Sequence, residues 1–145
     1  MIREFEQSDI EAVLHIWLDS NLYAHDFISS NYWLEHVDEV KQCLLQSELY
    51  VVEENQQILG FIGLIDTYIA GIFVKQDMRS KGIGKQLLDY VKTNNDYLSL
   101  HVFQKNKNAV RFYKREGFFI QAEKEDTDTQ EMEYEMVYDK TKDVH

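Results

Sequence analysis

Apolar positions recur along the chain at the spacings of helices and strands. In residues 8–19 the apolar side chains lie three and four positions apart, which places them on one face of a helix: Ile10, Val13, Leu14 and Trp17. Ser8 and Glu11 have the capping-box pattern that would open this helix. Residues 48–53 and 57–65 flank a polar turn and predict a β-hairpin.

The same patterns continue over the rest of the chain. They predict a strand at 2–5, a bent connection at 20–31, a helix at 32–46, a strand from 69, a helix ending near 93, a strand at 97–103, a helix at 107–116, strands at 118–122 and 131–138, and an acidic loop at 123–130. A chain of 145 residues is long enough to bury one core. The sequence therefore predicts a single α/β (α+β) domain spanning 1–145.

A strand, a basic glycine-bearing turn and an amphipathic helix follow one another between residues 69 and 91. The turn has the spacing Arg79-x-x-Gly82-x-Gly84, and its glycines leave the N–H groups at the helix start open to an anion. A nucleotide P-loop would need Gly-Lys-Ser/Thr after four intervening residues, and a dinucleotide fingerprint would need a third glycine where Leu87 stands. The segment predicts a phosphate-binding turn of another kind.

A second motif stands downstream, again where a strand meets a helix. The apolar run 97–103 is followed by Asn106 and by a helix that carries Phe112 and Tyr113 before a closing Gly-Phe at 117–118. In this order, the two motifs resemble the cofactor site of the GNAT superfamily of acyl-CoA-dependent N-acetyltransferases. The order of elements resembles the GNAT fold along nearly the whole chain, although the first half does so by element order only.

The resemblance implies a central mixed, mostly antiparallel twisted sheet of about seven strands, with helices on both faces and middle strands that splay apart. Acetyl-CoA would lie in the gap, with its phosphates on the turn and its pantetheine arm along the strand at Phe73, whose backbone would also stabilise the oxyanion. No metal is implied. The expected cofactor-binding residues are Phe73, Val74, Arg79, Ser80, Lys81, Gly82, Ile83, Gly84, Lys85, Asn106, Asn108 and Phe112.

Tyr113 is the residue that the resemblance implies as general acid for the departing thiolate. A phenol with a pKa of about 10 stays protonated at neutral pH, beside a thiolate whose acid form has a pKa near 8.5. The alternative is an aromatic side chain that only packs on the sheet. Phe112 points about 100° away around the helix and can serve that purpose instead.

His101 lies twelve positions before Tyr113, where similar GNAT enzymes that act on protein amino termini carry a glutamate general base. Leu98, Leu100 and Val102 alternate with His101, so the histidine faces away from this apolar set. An imidazole titrates closer to neutral pH than a carboxylate and is better matched to deprotonating an ammonium, directly or through a water. The alternative is a core histidine held by hydrogen bonds.

The residues expected near the acceptor amine come from the first half of the chain and from the segment just before the strand that begins at residue 69. The candidates are Tyr32, Trp33, Asp66 and Tyr68, with His25 and Asp26 in the bent connection as weaker ones.

Charge is unevenly distributed along the chain, whose net charge is −11. Residues 75–115 hold ten Lys/Arg and three acidic residues, whereas the remainder holds five Lys/Arg and 23 acidic residues. The basic segment carries both cofactor motifs, in agreement with the phosphates of CoA. The acidic remainder disfavours nucleic acid and favours a cationic acceptor.

The lone cysteine, Cys43, leaves no internal disulfide, and the five scattered histidines lack the spacing of a zinc site. The amino terminus has neither a basic leader nor an apolar core, and no apolar run approaches the ~18 residues of a membrane helix. We therefore expect a cytoplasmic protein, monomer or homodimer, that acts without membrane or nucleic acid.

Together these features predict an enzyme that transfers the acetyl group of acetyl-CoA to a primary amine, with a protein lysine or amino terminus as the favoured acceptor. The alternative acceptor is a polyamine or an aminoglycoside-like amine. A non-catalytic CoA-binding sensor is a further alternative, and the presence of Tyr113 argues against it. A DNA-binding regulator lacks support because no basic recognition helix is apparent outside the cofactor segment.

Overall fold

Seven strands form one sheet in the order β1-β2-β3-β4-β5-β7-β6 in a computed structural model that describes residues 1–79 and 81–142. Its neighbouring strands are antiparallel except for β4 and β5. The predicted mixed, mostly antiparallel sheet is confirmed. The strands are β1 (Ile2–Glu4), β2 (Glu48–Glu54), β3 (Gln57–Ile65), β4 (Tyr68–Val74), β5 (Tyr97–Phe103), β6 (Phe119–Glu125) and β7 (Met132–Asp139).

Helices cover both faces of this sheet. They are α1 (Ile10–Ala24), α2 (Ser30–Glu35) and α3 (Val37–Gln46) on one face, and α4 (Ile83–Lys92) and α5 (Lys107–Arg115) on the other. Alternate strand residues supply the two cores, since Val51 and Phe61 pack with the first group of helices while Val52 and Ile62 pack with the second. Within the described ranges, no helix combines the length and apolar character needed to cross a membrane.

The first helix is longer at its carboxyl end than the sequence predicts. A bent connection was expected from residue 20, but α1 continues to Ala24 because two polar side chains find partners inside the fold. The Ser20 hydroxyl donates to the Val74 carbonyl at 3.4 Å, and Asn21 Nδ2 donates to the Trp17 carbonyl at 2.8 Å. A tertiary hydrogen bond at Ser20, and at Asn21 a local bond to the residue four positions earlier in the same helix, thus offset the turn preference of these residues.

The amino-terminal end of α1 also corrects the prediction. The capping box expected at Ser8 and Glu11 is absent, because the helix begins at Ile10 after one 3-10 turn. The capping box lies two residues earlier, at Glu6 and Asp9, where the Asp9 carboxylate accepts the N–H of Glu6 at 2.8 Å.

Two further boundaries differ from the prediction. The helix expected at 32–46 is broken at His36, whose N–H bonds the Trp33 carbonyl. The break lets Trp33 turn into the core against Trp17, with ring centroids 5.9 Å apart. Strand β6 continues to Glu125 because it remains paired with β7 there, so the acidic loop is shorter than predicted.

Strands β4 and β5 diverge in the middle of the sheet. Their parallel pairing is confined to Tyr68 and Ser99, beside a bond from the Ser99 N–H to the Thr67 carbonyl at 3.0 Å. Past this point β4 remains paired with β3, and β5 with β7, so each strand presents one open backbone edge. The predicted splay of the middle strands is confirmed.

Candidate active site

The gap between β4 and β5 forms a cleft with a volume of about 1440 Å³. Its walls are β4, the amino-terminal turn of α4, the end of β5 and one face of α5. The predicted cofactor residues that line it are Phe73, Val74, Arg79, Gly82, Ile83, Gly84, Lys85, Asn106, Asn108 and Phe112. Of the other two, Lys81 is exposed and stands apart from the lining, and Ser80 lies outside the described residues.

Gly82 and Gly84 shape the turn at the start of α4 in different ways. Gly82 caps the helix with a φ of 82°, in the left-handed region that favours glycine. A Cβ at Gly84 would lie only 3.2 Å from Cζ of Phe112, so the missing side chain allows α4 to approach α5. The two sequence motifs therefore meet here, and the first N–H groups of α4 remain available to an anion.

Basic side chains line this cleft: Arg79, Lys85, Lys105, Lys107, Arg111 and Arg115. Arg79 and Lys85 lie at the turn itself, whereas Lys105 Nζ lies 3.0 Å from Oε1 of Glu131 and 5.3 Å from the centroid of the Phe27 ring. The Arg79 guanidinium lies 5.1 Å from the centroid of the Tyr23 ring. Lys85 Nζ lies 3.2 Å from carboxylate oxygens of both Asp89 and Glu116, and its hydrogen bonds with these carboxylates raise the pKa of Lys85. This end of the cleft is therefore suited to the phosphates of CoA.

Asn106 lies where β5 turns into α5. Its Oδ1 accepts the N–H of Ala109 at 3.3 Å, and its Nδ2 donates to Nε2 of His25 at 3.0 Å. The amide is thus held at the wall of the cleft on which the pantetheine arm is expected. Asn108, two residues further along, accepts a hydrogen bond from Arg111.

Tyr113 reaches the cleft from α5 although only 9% of its surface is exposed. Its ring packs against Phe118, with centroids 5.6 Å apart. Burial, and to a lesser extent the nearby Tyr68, raises the pKa of Tyr113 above its ordinary value. The hydroxyl therefore remains protonated at physiological pH and can donate a hydrogen bond or a proton.

His101 lies on the face of β5 opposite to the buried Leu98, Leu100 and Val102, as the alternation predicts, and it lines the cleft together with Leu100 and Val102. Its Nδ1 lies 3.0 Å from the Tyr68 hydroxyl. Its Nε2 lies 3.5 Å from a carboxylate oxygen of Glu135 on β7. His101 is therefore only partly buried, and it links the Glu135 carboxylate to the Tyr68 phenol.

Two carboxylates of this site were missed by the sequence analysis. Glu135 contacts His101. Glu133, which pairs with Phe103 in the sheet, lines the cleft, and its pKa is raised first by burial and then by Asp126. Both lie on β7, two residues apart, which puts them on the same face of the strand. Acidic residues at alternate positions of an otherwise apolar strand were the available signal.

The proposed acceptor residues have different positions. Tyr32 and Trp33 line the cleft, together with His25 and Asp26. Tyr68 approaches the site through its bond with His101. Asp66 is exposed in the tight turn between β3 and β4, with φ of 55°, and stands apart from the cleft lining.

Cationic and anionic side chains line different parts of the cleft. Arg79 and Lys85 lie at the start of α4, whereas Asp126 and Glu133 contribute carboxylates near Tyr32. Burial first, and then Asp126, Asp128 and other carboxylates, raise the pKa of Tyr32. Across residues 1–79 and 81–142, no three His, Cys, Asp or Glu side chains group as metal ligands would.

Comparison with known proteins agrees with this geometry. The profile described as "Acetyltransferase (GNAT) domain" matches residues 46–119, about half of the chain. The peptidyl-lysine N-acetyltransferase YiaC of Escherichia coli is 38% identical over 122 residues, which cover 83% of this chain and 84% of YiaC. The peptidyl-lysine N-acetyltransferase YjaB of the same organism is 32% identical over 120 residues, covering 82% of each chain.

The fold agrees with a solved structure as well. The solution structure of the apo form of YjaB from Escherichia coli superposes with a TM-score of 0.85 at 29% identity, covering 95% of this chain and 96% of that one. The chain belongs to the GNAT family of acetyltransferases. It is an acetyl-CoA-dependent N-acetyltransferase, and its two substrates are acetyl-CoA and an amine.

Proposed function

We propose that this protein acetylates lysine side chains of proteins. The carrying observation is the chain Glu135–His101–Tyr68, which stands where β4 and β5 part and offers a route for the proton of the amine. The carboxylates of Asp126 and Glu133, which line the cleft near Tyr32, favour a cationic acceptor. The relatives YiaC and YjaB are named as peptidyl-lysine N-acetyltransferases, which supports a protein acceptor.

The contacts of His101 with Glu135 and Tyr68 support a role as the base. A carboxylate can only accept, so the neutral imidazole presents its Nε2–H toward Glu135 and leaves Nδ1 bare. The Tyr68 hydroxyl donates to that bare nitrogen. A proton from the amine therefore reaches His101 through Tyr68, whose oxygen takes the incoming proton as its own passes to Nδ1. The Glu135 carboxylate stabilises the imidazolium that results.

Tyr113 is the proposed acid. The amine nitrogen attacks the thioester carbonyl carbon, a C–N bond forms, and the C–S bond breaks to release the thiolate. Two protons leave the nitrogen, of which one passes to the base and then to solvent, while the other replaces the proton that Tyr113 gives to sulfur. Burial raises the pKa of Tyr113 and disfavours the thiolate as well, so the two effects offset each other in the transfer.

Backbone groups supply the remaining requirement. Beyond Tyr68 the open edge of β4 offers N–H and C=O groups to an extended ligand, in the manner of an added strand. An N–H near Phe73 is the proposed oxyanion donor, and Asn106 is the proposed partner of the pantetheine arm from the other wall. We further propose that the protein acts in the cytoplasm as a monomer or homodimer, without nucleic acid or membrane, in keeping with its net charge of −11.

A thiol-release assay with acetyl-CoA and a panel of amines tests the acceptor. The panel contains a lysine peptide with a blocked amino terminus, the same peptide with arginine in place of lysine and a free amino terminus, spermidine, and an aminoglycoside. We expect the highest kcat/KM for the blocked lysine peptide. Faster turnover of spermidine or of the aminoglycoside would assign the enzyme to small amines instead.

A further inference from the structure

His25 is a buried histidine at the carboxyl end of α1 that the proposed chemistry does not use. It is 9% exposed, and both of its ring nitrogens are engaged. Nδ1 lies 2.8 Å from Oδ1 of Asn21, and Nε2 lies 3.0 Å from Nδ2 of Asn106. The ring thus joins α1 to the residue that caps α5 at the wall of the cleft.

The direction of each of these bonds is determined by backbone groups at the two ends. Oδ1 of Asn106 accepts the Ala109 N–H, so the amide presents its nitrogen to His25, and Nε2 must accept. Nδ1 then carries the hydrogen and donates to Oδ1 of Asn21. The remaining group of Asn21, its Nδ2, donates to the Trp17 carbonyl at 2.8 Å. Each of these three hydrogen bonds therefore joins a donor to an acceptor.

The surroundings of His25 keep it in the required neutral form. Burial, with a contribution from Arg79, lowers the pKa of His25 to about 4. The ring stacks on Trp33 with centroids 5.5 Å apart, and the edges of Phe27 and Phe103 pack around it. A ring so enclosed has one orientation, and it imposes one orientation on the Asn106 amide.

We propose that His25 is a positioning residue for acetyl-CoA, which acts by fixing the side-chain amide of Asn106. An amide is planar, so holding its oxygen on Ala109 and one N–H on His25 also fixes the direction of its second N–H. A fixed donor loses less conformational entropy when it binds a carbonyl of an extended ligand such as the pantetheine arm. The inference rests on the proposed function in one respect, the assignment of Asn106 to the cofactor.

Titration calorimetry with acetyl-CoA tests this role when the variants are compared as a set. His25→Phe keeps an aromatic ring but removes both nitrogens, and it should raise the Kd and the KM for acetyl-CoA by about three- to tenfold, the range of one lost hydrogen bond. The kcat should stay within about twofold, since no reacting atom is touched. His15→Phe, on an exposed position of the same helix, is the matched control and should leave both constants unchanged.

Two further variants keep the test decisive if His25→Phe does not fold. His25→Gln extends far enough to place an oxygen near the Nε2 position and should bind acetyl-CoA nearly as the parent does. His25→Asn is shorter, loses the partner of Asn106, and should weaken binding as much as His25→Phe. Equal affinities for the Gln and Asn variants would overturn the proposal.

A double-mutant cycle separates this inference from the assignment of Asn106. If His25 acts through Asn106, the double variant His25→Phe/Asn106→Ala should bind acetyl-CoA no more weakly than Asn106→Ala alone. Additive losses would show that His25 acts by another route and would overturn the inference. An unchanged Kd for Asn106→Ala would instead reject the role of Asn106 in the proposed function, and the His25 inference with it.

Discussion

The hydroxyl of Tyr68 lies 3.0 Å from Nδ1 of His101, although the two residues are 33 positions apart. Tyr68 is also the residue of β4 that pairs with β5, opposite Ser99, immediately before the two strands separate. The phenol and the imidazole are therefore held at the apex of the cleft. The divergence of the two strands opens the cleft for acetyl-CoA. It also positions the proposed base beside that cleft.

This relationship predicts that Tyr68→Phe impairs catalysis as His101→Ala does. Loss of the hydroxyl leaves a gap in the proton route, so we expect turnover to fall on the order of 10²-fold, as is typical for general base catalysis. At limiting acceptor, the rate of the parent enzyme should rise with pH as the base loses its proton, and His101→Ala should lose that limb. His101→Glu should keep part of the activity, because a carboxylate can still accept the proton through water.

The control for this prediction is the turnover of Tyr68→Phe at high pH, where the free amine needs no base and the variant should recover toward the parent. Full activity and an unaltered pH profile in both Tyr68→Phe and His101→Ala would show that the pair is structural. The base would then be sought at Glu133, whose pKa is raised mainly by burial and which lines the same cleft.

Tyr113→Phe tests the proposed acid, because it removes one hydroxyl and leaves the packed ring in place. We expect turnover to decrease on the order of 10²-fold with little change in Tm. The pKa of Tyr113 is raised by burial, so the activity of the parent should show no decline from phenol ionisation across the physiological pH range. Parent-like turnover in the variant would mean that water or another group protonates the thiolate.

A pair of substitutions at Gly82 tests the phosphate turn. Gly82→Asn and Gly82→Asp are nearly isosteric, and both residue types tolerate the positive φ of 82° better than other side chains do. The aspartate alone adds a negative charge to the anion site. We expect the Kd for acetyl-CoA to be about tenfold higher in the aspartate variant than in the asparagine variant, equal to about 1.4 kcal/mol. Titration calorimetry measures both, and equal affinities would contradict phosphate binding here.

The pKa of His25 predicts a pH dependence of stability. In the folded protein the pKa is lowered to about 4, whereas an unfolded histidine titrates near 6.5. The unfolded state therefore binds the proton more readily, and the stabilisation present above pH 6.5 is lost as the pH falls toward 4. We expect this residue to account for a loss of roughly 2 kcal/mol in the free energy of unfolding between pH 7 and pH 5.

Urea unfolding of the parent and of His25→Gln at the two pH values measures this contribution. The variant lacks the titrating group, so its free energy of unfolding should change less between pH 7 and pH 5. The His15→Phe variant, which replaces an exposed histidine, should keep the slope of the parent. Equal slopes in the parent and the Gln variant would show that His25 is not desolvated as described.

Local patterns in the sequence are enough to predict much of this fold. The two-residue alternation of Leu98, Leu100 and Val102 buries one face of β5 and leaves His101 on the other. The spacing of Gly82 and Gly84 predicts the turn at the start of α4, and Gly82 adopts the positive φ that suits glycine. Such features depend on neighbours in the chain, so periodicity and residue type determine them.

Tertiary structure decided what depends on distant neighbours. Ser20 favours a turn by composition, yet α1 continues past it because its hydroxyl donates to the Val74 carbonyl, 54 positions away. Strand β7 inserts between β5 and β6 in the sheet, which brings Glu135 to His101. Asn106 meets His25 across 81 positions. Strand order and long-range hydrogen bonds follow from how the whole sheet buries its two faces, and no local window of the sequence contains that information.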